Sequence, residues 1–211
     1  MDYLFPDSVL LILCKAPVPG QVKTRLIPAL NAQEAAAAHK HLTLMTLERA
    51  LEQRLCPVIL YCAPDCSHPF FQECAKTYPL ILRKQSDGDL GAKMLDALSV
   101  ALSTYRHALL VGCDCPSLAA DDLRYGLELL SAEQDVVIAP SEDGGYTLIG
   151  MSRVVPELFT DMPWGSEQVM QATRQCAGKL GLRLHELASQ WDIDTEEDWL
   201  RYVRSRRSEP G

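Results

Sequence analysis

Ser8-Val-Leu-Leu-Ile-Leu-Cys14, running into Lys15-Ala-Pro17-Val-Pro19-Gly20-Gln-Val-Lys23-Thr-Arg25-Leu-Ile-Pro28-Ala-Leu30, is the stretch on which the reading of the fold turns. An apolar run of this length, closed by loop-forming residues, predicts a buried strand rather than a helix. Pro17, Pro19, Gly20 and Pro28 then break residues 15–30 into a long loop, and the prolines reduce the conformations open to it.

The rest of the chain repeats the same grammar. Asn31 with Glu34 three residues on predicts a capping box, opening a helix that reaches about residue 55. Strands are predicted at 57–62 and 80–83, with a helix over 67–77 between them. Leu90, Met94, Leu95, Leu98 and Leu102 recur near a 3.6-residue period and predict a helix over 90–105, followed by a strand at 108–111. A helix at 121–130 and strands at 135–139 and 146–151 follow, the last pair separated by a tight Gly144-Gly145 turn. Ser166 is read as the cap of a helix ending near 180. A strand at 182–187, an acidic element at 192–194, a helix over 195–203 and a frayed tail at 205–211 complete the reading.

Strands alternating with helices imply an α/β protein, a three-layer doubly wound and mostly parallel sheet within one domain over residues 1–204. Ligands of such sheets gather at the carboxyl ends of the strands.

Composition narrows the function. A chain of 211 residues, 47% hydrophobic and 23% charged, is that of an ordinary globular protein. A net charge of -8 supplies no general field for nucleic acid. No signal-peptide pattern and no apolar run of membrane-spanning length is present, so a cytoplasmic protein without membrane insertion is expected. The eight cysteines lie mostly in apolar stretches and read as reduced thiols. Cys62, Cys66, His68 and Cys74 could hold zinc, but their spacing matches no standard pattern.

Lys15, Lys23 and Arg25 share the loop after the first strand, where Gly20 lets the backbone approach a ligand; three cations there suggest a phosphate site, against the alternative of a solvated loop. Neither a P-loop nor a G-x-G-x-x-G fingerprint occurs. Asp114 stands just beyond the strand at 108–111, where a carboxylate can hold a hard cation whose other positions are filled by phosphate and water. Its alternative is a cap or turn residue. A thiolate site from Cys113 and Cys115 is disfavoured, since alternate residues with no further ligands nearby do not close a tetrahedron. Asp192 and Asp194, if extended, project to one side and could complete the metal shell, whereas Thr195 with Asp198 reads as a helix cap. Glu142-Asp143-Gly144-Gly145-Tyr146 forms an acidic turn with room for an acceptor or sugar, and Trp164, beside Gly165 and Ser166, is either an aromatic at an anion-binding helix start or a core side chain.

Taken in order, Lys15-Ala-Pro17-Val-Pro19-Gly20-Gln-Val-Lys23-Thr24-Arg25-Leu26, Gly112-Cys-Asp114-Cys-Pro116, Glu142-Asp143-Gly144-Gly145-Tyr146, Pro163-Trp164-Gly165 and Asp192-Ile-Asp194-Thr195 resemble the bacterial radical-SAM/selenodomain-associated transferase family, which is glycosyltransferase-like. The resemblance covers nearly the whole chain. It implies the GT-A or nucleotide-diphospho-sugar transferase fold, with Asp114 contributing to a Mg²⁺ or Mn²⁺ that bridges nucleotide phosphates. Cys-Asp-Cys stands here where many glycosyltransferases carry Asp-x-Asp, so Asp192, Asp194 or water would have to help. Lys23-Thr24-Arg25-Leu26 is also similar to the phosphate loop of 2-phospho-lactate guanylyltransferase.

Two chemistries follow. In glycosyl transfer from a nucleotide-sugar, Lys23 or Arg25 steadies the departing diphosphate and Asp143 or Glu142 is the base toward an unknown small-molecule acceptor. In nucleotidyl transfer from a nucleoside triphosphate, an already ionised acceptor phosphate attacks and no base is required. A binding protein that kept the fold without turnover is the third reading.

Overall fold

The computed structural model describes residues 2–27 and 29–208. Pro28 and residues 209–211 of the expected tail lie outside the described residues. Seven strands, β1 (Ser8–Lys15), β2 (Val58–Ala63), β3 (Leu80–Lys84), β4 (His107–Val111), β5 (Val136–Pro140), β6 (Tyr146–Met151) and β7 (Leu184–Glu186), form one sheet. Its order is β3-β2-β1-β4-β6-β5-β7. Strands β3, β2, β1 and β4 are mutually parallel, as are β5 and β7, while β6 runs antiparallel to both its neighbours. Among the described residues, six α-helices accompany the sheet: α1 (Ala32–Glu52), α2 (Pro69–Thr77), α3 (Leu90–Leu102), α4 (Ala120–Ser131), α5 (Val169–Lys179) and α6 (Glu196–Ser208).

The three layers follow from the two-residue period of a strand. Along β1, Leu10, Ile12 and Cys14 face a core that includes Leu47 and Ala50 of α1, Phe71 of α2, and Leu123 and Leu127 of α4. Val9 and Leu11 face the other way, into a core with Met94 and Leu98 of α3 and Met170 and Ala177 of α5. A strand apolar at every position is therefore what a sheet covered on both sides requires. A third cluster, Leu26, Leu42, Ile193 and Tyr202, seats α6 against α1 and a 3₁₀ turn at Thr24–Leu26.

Several boundaries differ from expectation, α1 ending at Glu52 and α3 at Leu102 among them. The last strand is confined to Leu184–Glu186 at the sheet's edge. The terminal helix runs to Ser208 rather than stopping near 203, so part of the expected frayed tail is helical. Ser166 does not cap α5. It donates to the Pro163 carbonyl and accepts the Gln168 N–H, and the helix begins only at Val169. The reason is a tertiary bond: Met170 N–H donates to the Gly144 carbonyl at 2.8 Å, which holds residues 163–168 as a turn against the β5–β6 connection. Among the described residues, no helix is long and apolar enough to cross a membrane.

The capping box of α1 is complete: Asn31 Oδ1 accepts the Glu34 N–H at 3.0 Å, and Glu34 accepts the Asn31 N–H at 2.9 Å. Asn31→Ala is expected to cost about 1 kcal/mol in denaturant unfolding with no change in slope.

Candidate functional site

Strands β1 and β4 are neighbours in parallel register, Ile12 beside Val111, so the segments following them leave the sheet side by side. There they open a cavity of about 870 Å³, within the range of small-molecule sites. Lys15, Lys23, Arg25, Asp114, Asp143, Gly145, Trp164, Gly165, Asp192 and Asp194 all line it. Residues from five separated stretches of sequence thus meet at one mouth, at the carboxyl edge expected of a parallel sheet.

Lys23 is central to the mouth's construction. Its backbone is left-handed, at φ 48° and ψ 39°, a conformation that a lysine adopts only when its surroundings hold it there. Its ammonium donates to Asp114 Oδ2 at 2.9 Å and to the Ile193 carbonyl. The Ile193 N–H in turn donates to the Asp114 carbonyl at 3.0 Å. The Lys23 side chain is 6% exposed and that of Asp114 39%. Burial opposes the charge on each, but the partner outweighs it, holding the Asp114 carboxyl below its usual range and raising Lys23. Lys23 therefore commits two of its three donors to the protein. Arg25 is likewise engaged, with Asp194 at 2.6 Å on the exposed rim.

Asp192 is the electrostatic opposite of Asp114. Burial, then the facing charges of Asp114 and Asp143, push its carboxyl up to about 6, despite a hydrogen bond from Ser141 Oγ at 3.0 Å. Asp143 is anchored by the Gly145 N–H at 2.9 Å and stays on the cavity. Glu142 points elsewhere: Arg201 of α6 grips it at 2.6 and 3.1 Å while stacking over Trp191. Of the two candidate bases, only Asp143 reaches the cavity.

The aromatic wall consists of Tyr146 and Trp164, whose rings meet edge to face at 6.1 Å. Tyr146 Oη and Trp164 Nε1 are both buried and have no hydrogen-bond partner. Burial also raises the Tyr146 phenol, so it stays protonated as a donor. Trp164 Nε1 packs against Gly91 of α3, where an added Cβ would stand 2.4 Å from it.

Gly20 and Gly144, both expected to contact ligand, are not on the cavity wall. Gly20 serves a left-handed turn at φ 77°. Gly144, at φ 88°, lies against the backbone of Glu167, where a Cβ would stand 2.1 Å from the carbonyl oxygen. The glycine therefore admits the 163–168 turn rather than a substrate.

Several lining residues escaped the reading of the sequence, Lys93, Gln85 and His39 among them. Lys93, in the first turn of α3, was absorbed into an amphipathic helix; like Lys15, it makes no ion pair among the described residues. Gln85 bonds the Cys14 and Tyr61 carbonyls at 3.0 and 2.8 Å, joining the ends of β1 and β2. His39 is buried on the core stripe of α1, with Nε2 2.9 Å from the Lys15 carbonyl. A histidine on a stripe of Ala35, Ala36, Ala38 and Leu42 was the available signal.

The donor set suits a hard divalent ion in part. Asp114, Asp143 and Asp192 line one cavity and repel one another, as the raised Asp192 carboxyl shows, and a cation would relieve that repulsion. Asp194 is already neutralised by Arg25. The Cys62, Cys66, His68 and Cys74 set does not converge as metal ligands among the described residues, and His68 Nδ1 instead accepts the Phe70 N–H at the start of α2.

Residues 46–166 match the model of a family described as an uncharacterized protein conserved in bacteria (DUF2064). A crystal structure from Desulfovibrio desulfuricans G20, provisionally named a nucleotide-diphospho-sugar transferase, is 27% identical. It covers 97% of this chain and 90% of its own, with a TM-score of 0.88. A cytidylyltransferase from Leptospira borgpetersenii shares the fold at 14% identity, 98% and 89% coverage and a TM-score of 0.61. So does 4-diphosphocytidyl-2C-methyl-D-erythritolsynthase from Anaerococcus prevotii, at 10% identity, 94% and 99% coverage and a TM-score of 0.61. No curated protein matches the sequence.

Two outcomes test this anatomy. A carboxyl whose folded value is raised binds its proton more readily when folded, so its cost is full at pH 7 and disappears as pH falls through 6 toward 4. Asp192→Asn is therefore expected to stabilise the protein by roughly 1–3 kcal/mol at pH 7 and by little at pH 4, measured by urea unfolding. Gly144→Ala is expected to lower stability by about 2–4 kcal/mol in the same assay, because backbone must move and the residue is left-handed. A glycine that merely left room for substrate would show no such loss.

Proposed function

We propose that this chain, which belongs to the DUF2064 family, is a transferase that binds a nucleotide-sugar with Mg²⁺ or Mn²⁺ and passes the sugar to a small-molecule acceptor. The observation that carries the reading is the charge layout of the cavity. Lys15 and Lys93, free of ion pairs among the described residues, line it together with Asp114, Asp143 and Asp192. Cations for phosphate beside carboxylates for a metal is what a nucleoside diphosphate demands. The name given to the Desulfovibrio protein and the resemblance to radical-SAM/selenodomain-associated transferases support the choice of nucleotide-sugar. The protein is taken to work in the cytoplasm.

Asp114 and Asp192 would hold the metal, which when bound supplies positive charge opposite the diphosphate. Lys15 and Lys93 neutralise phosphate oxygens, since Lys23 and Arg25 are already occupied by Asp114 and Asp194. Lys23 acts as a positioning residue, setting the Asp114 carboxylate at the cavity floor. Tyr146 and Trp164 form the apolar wall against which the ligand lies. Asp143 takes the proton of the acceptor hydroxyl as that oxygen bonds to the sugar's anomeric carbon. The bond from that carbon to the diphosphate breaks, and its electron pair leaves with the diphosphate.

Nucleotidyl transfer is the second reading. Two uncommitted lysines suit a triphosphate as well as a diphosphate, and the fold is shared with cytidylyltransferases. The products separate the two: nucleoside diphosphate from a nucleotide-sugar, or pyrophosphate from a nucleoside triphosphate.

The test screens nucleotide-sugars and nucleoside triphosphates by thermal unfolding, with and without Mg²⁺ or Mn²⁺. A ligand at about 100 times its Kd should add roughly 2.7 kcal/mol. The metal-dependent response is expected with one nucleotide-sugar and should weaken roughly 10–100-fold in Lys15→Gln and Lys93→Gln without loss of stability. Asp114→Asn is a poor first variant, because it strands the buried Lys23 charge and destabilises the fold itself. A response to triphosphate with release of pyrophosphate would transfer the assignment to the second reading, and no response to any nucleotide would remove both.

A further inference from the structure

Cys113 looked unpromising as a metal ligand because nothing near it in sequence could complete a coordination shell. The fold supplies what the sequence lacked. Cys14 at the end of β1, His39 on α1 and Cys113 just past β4 each bring one ligand atom within 4.8 Å of the other two. All three are buried, at 1%, 5% and 5% exposure, and all three line the cavity, so the cluster has a route of entry.

We propose that Cys14, His39 and Cys113 form a site for a soft divalent cation of the zinc class, at the floor of the cavity and distinct from the carboxylate site for Mg²⁺ or Mn²⁺. Tetrahedral zinc with bonds of about 2.3 Å to sulfur and 2.0 Å to nitrogen places its ligand atoms roughly 3.5–3.8 Å apart. The His39 ring lies directly against the Cys14 thiol, with Nε2 3.8 Å from Sγ. A bond from Nε2–H to the Lys15 carbonyl leaves the lone pair on Nδ1, and Nδ1 is buried with no partner. A backbone carbonyl orienting the ring is the usual support of a metal-bound histidine.

Ordinary core packing accounts for two buried thiols, since cysteine is a good small hydrophobe. It does not account for an imidazole placed against them with an unmet ring nitrogen, which costs free energy unless a ligand arrives. Hard ions prefer oxygen, so the thiol–imidazole set and the carboxylate set select different metals. With three protein ligands, the fourth position faces the cavity, the arrangement of an open rather than a closed zinc site. This inference is independent of the nucleotide assignment, because its ligands and its test involve no nucleotide.

The experiment uses the full chain, reduced and freed of metal with a chelator, then titrated with Co²⁺ alone and back-titrated with Zn²⁺. One equivalent of Co²⁺ is expected to bind with thiolate-to-cobalt charge-transfer absorption, and one equivalent of Zn²⁺ to displace it. Cys113→Ser and His39→Asn should each weaken binding by roughly 10-fold or more and reduce or shift that absorption, while Cys115→Ser and Cys74→Ser behave as wild type. A spectrum without thiolate character, one unchanged by Cys113→Ser, or one abolished by Cys74→Ser overturns the assignment. Should the two ligand variants fail to fold, X-ray absorption on the zinc-loaded wild type and Cys74→Ser decides. Two sulfurs and a nitrogen in both sustain the site, and an oxygen shell, or sulfur lost in Cys74→Ser, overturns it.

Discussion

The contact of Lys23 with Asp114 and the Ile193 carbonyl ties together three segments that are far apart in sequence. It closes the long loop after β1, fixes the carboxylate beyond β4, and draws the 191–195 strand-like stretch across the mouth of the cavity. A buried ammonium is tolerable only beside a charge and further acceptors, and Asp114, 39% exposed, supplies that charge at the cavity surface. The same contact helps to hold the left-handed backbone at Lys23. Once this clamp exists, Arg25 reaches Asp194, Ile193 enters the small core with Leu26 and Tyr202, and α6 has a surface on which to lie.

The same clamp divides the acidic residues into two kinds. Asp114 is stabilised as an anion by Lys23, whereas Asp192 is pushed toward its neutral form by burial and by Asp114 and Asp143. A fold selected only for stability would not gather three carboxylates around one cavity. Such a concentration of local cost marks a place where ligand binding is the compensating term. Lys23 and Arg25 in the loop serve architecture, and the cations left for a ligand, Lys15 and Lys93, come from the end of β1 and the start of α3.

Much of this was legible in the residues, and the failures have physical causes. The alternation of Val9, Leu10, Leu11 and Ile12 between two cores is a local consequence of strand geometry, as is the Asn31–Glu34 box. Asp114, Asp143, Asp192 and Trp164 were found because strand ends and glycine turns point to the cavity edge. Glu142 could not be separated from Asp143, since only the arrival of Arg201, 59 residues away in sequence, turns it outward. Gly144 misled for the same reason: an open glycine and one filled by a distant backbone look alike until Glu167 is in place.

What the sequence determined by itself was the layer plan: apolar strands of fixed period, helices capped by adjacent residues, and a cavity at the strand ends, all set by interactions between near neighbours in the chain. What only the tertiary structure decided was which charges remain available to a ligand. Lys23 looked like a phosphate-binding cation and is a clamp, and Cys113 looked solitary and has Cys14 and His39 beside it. Electrostatic and coordinative roles depend on distances of a few ångströms between residues tens of positions apart, and no local pattern encodes those distances.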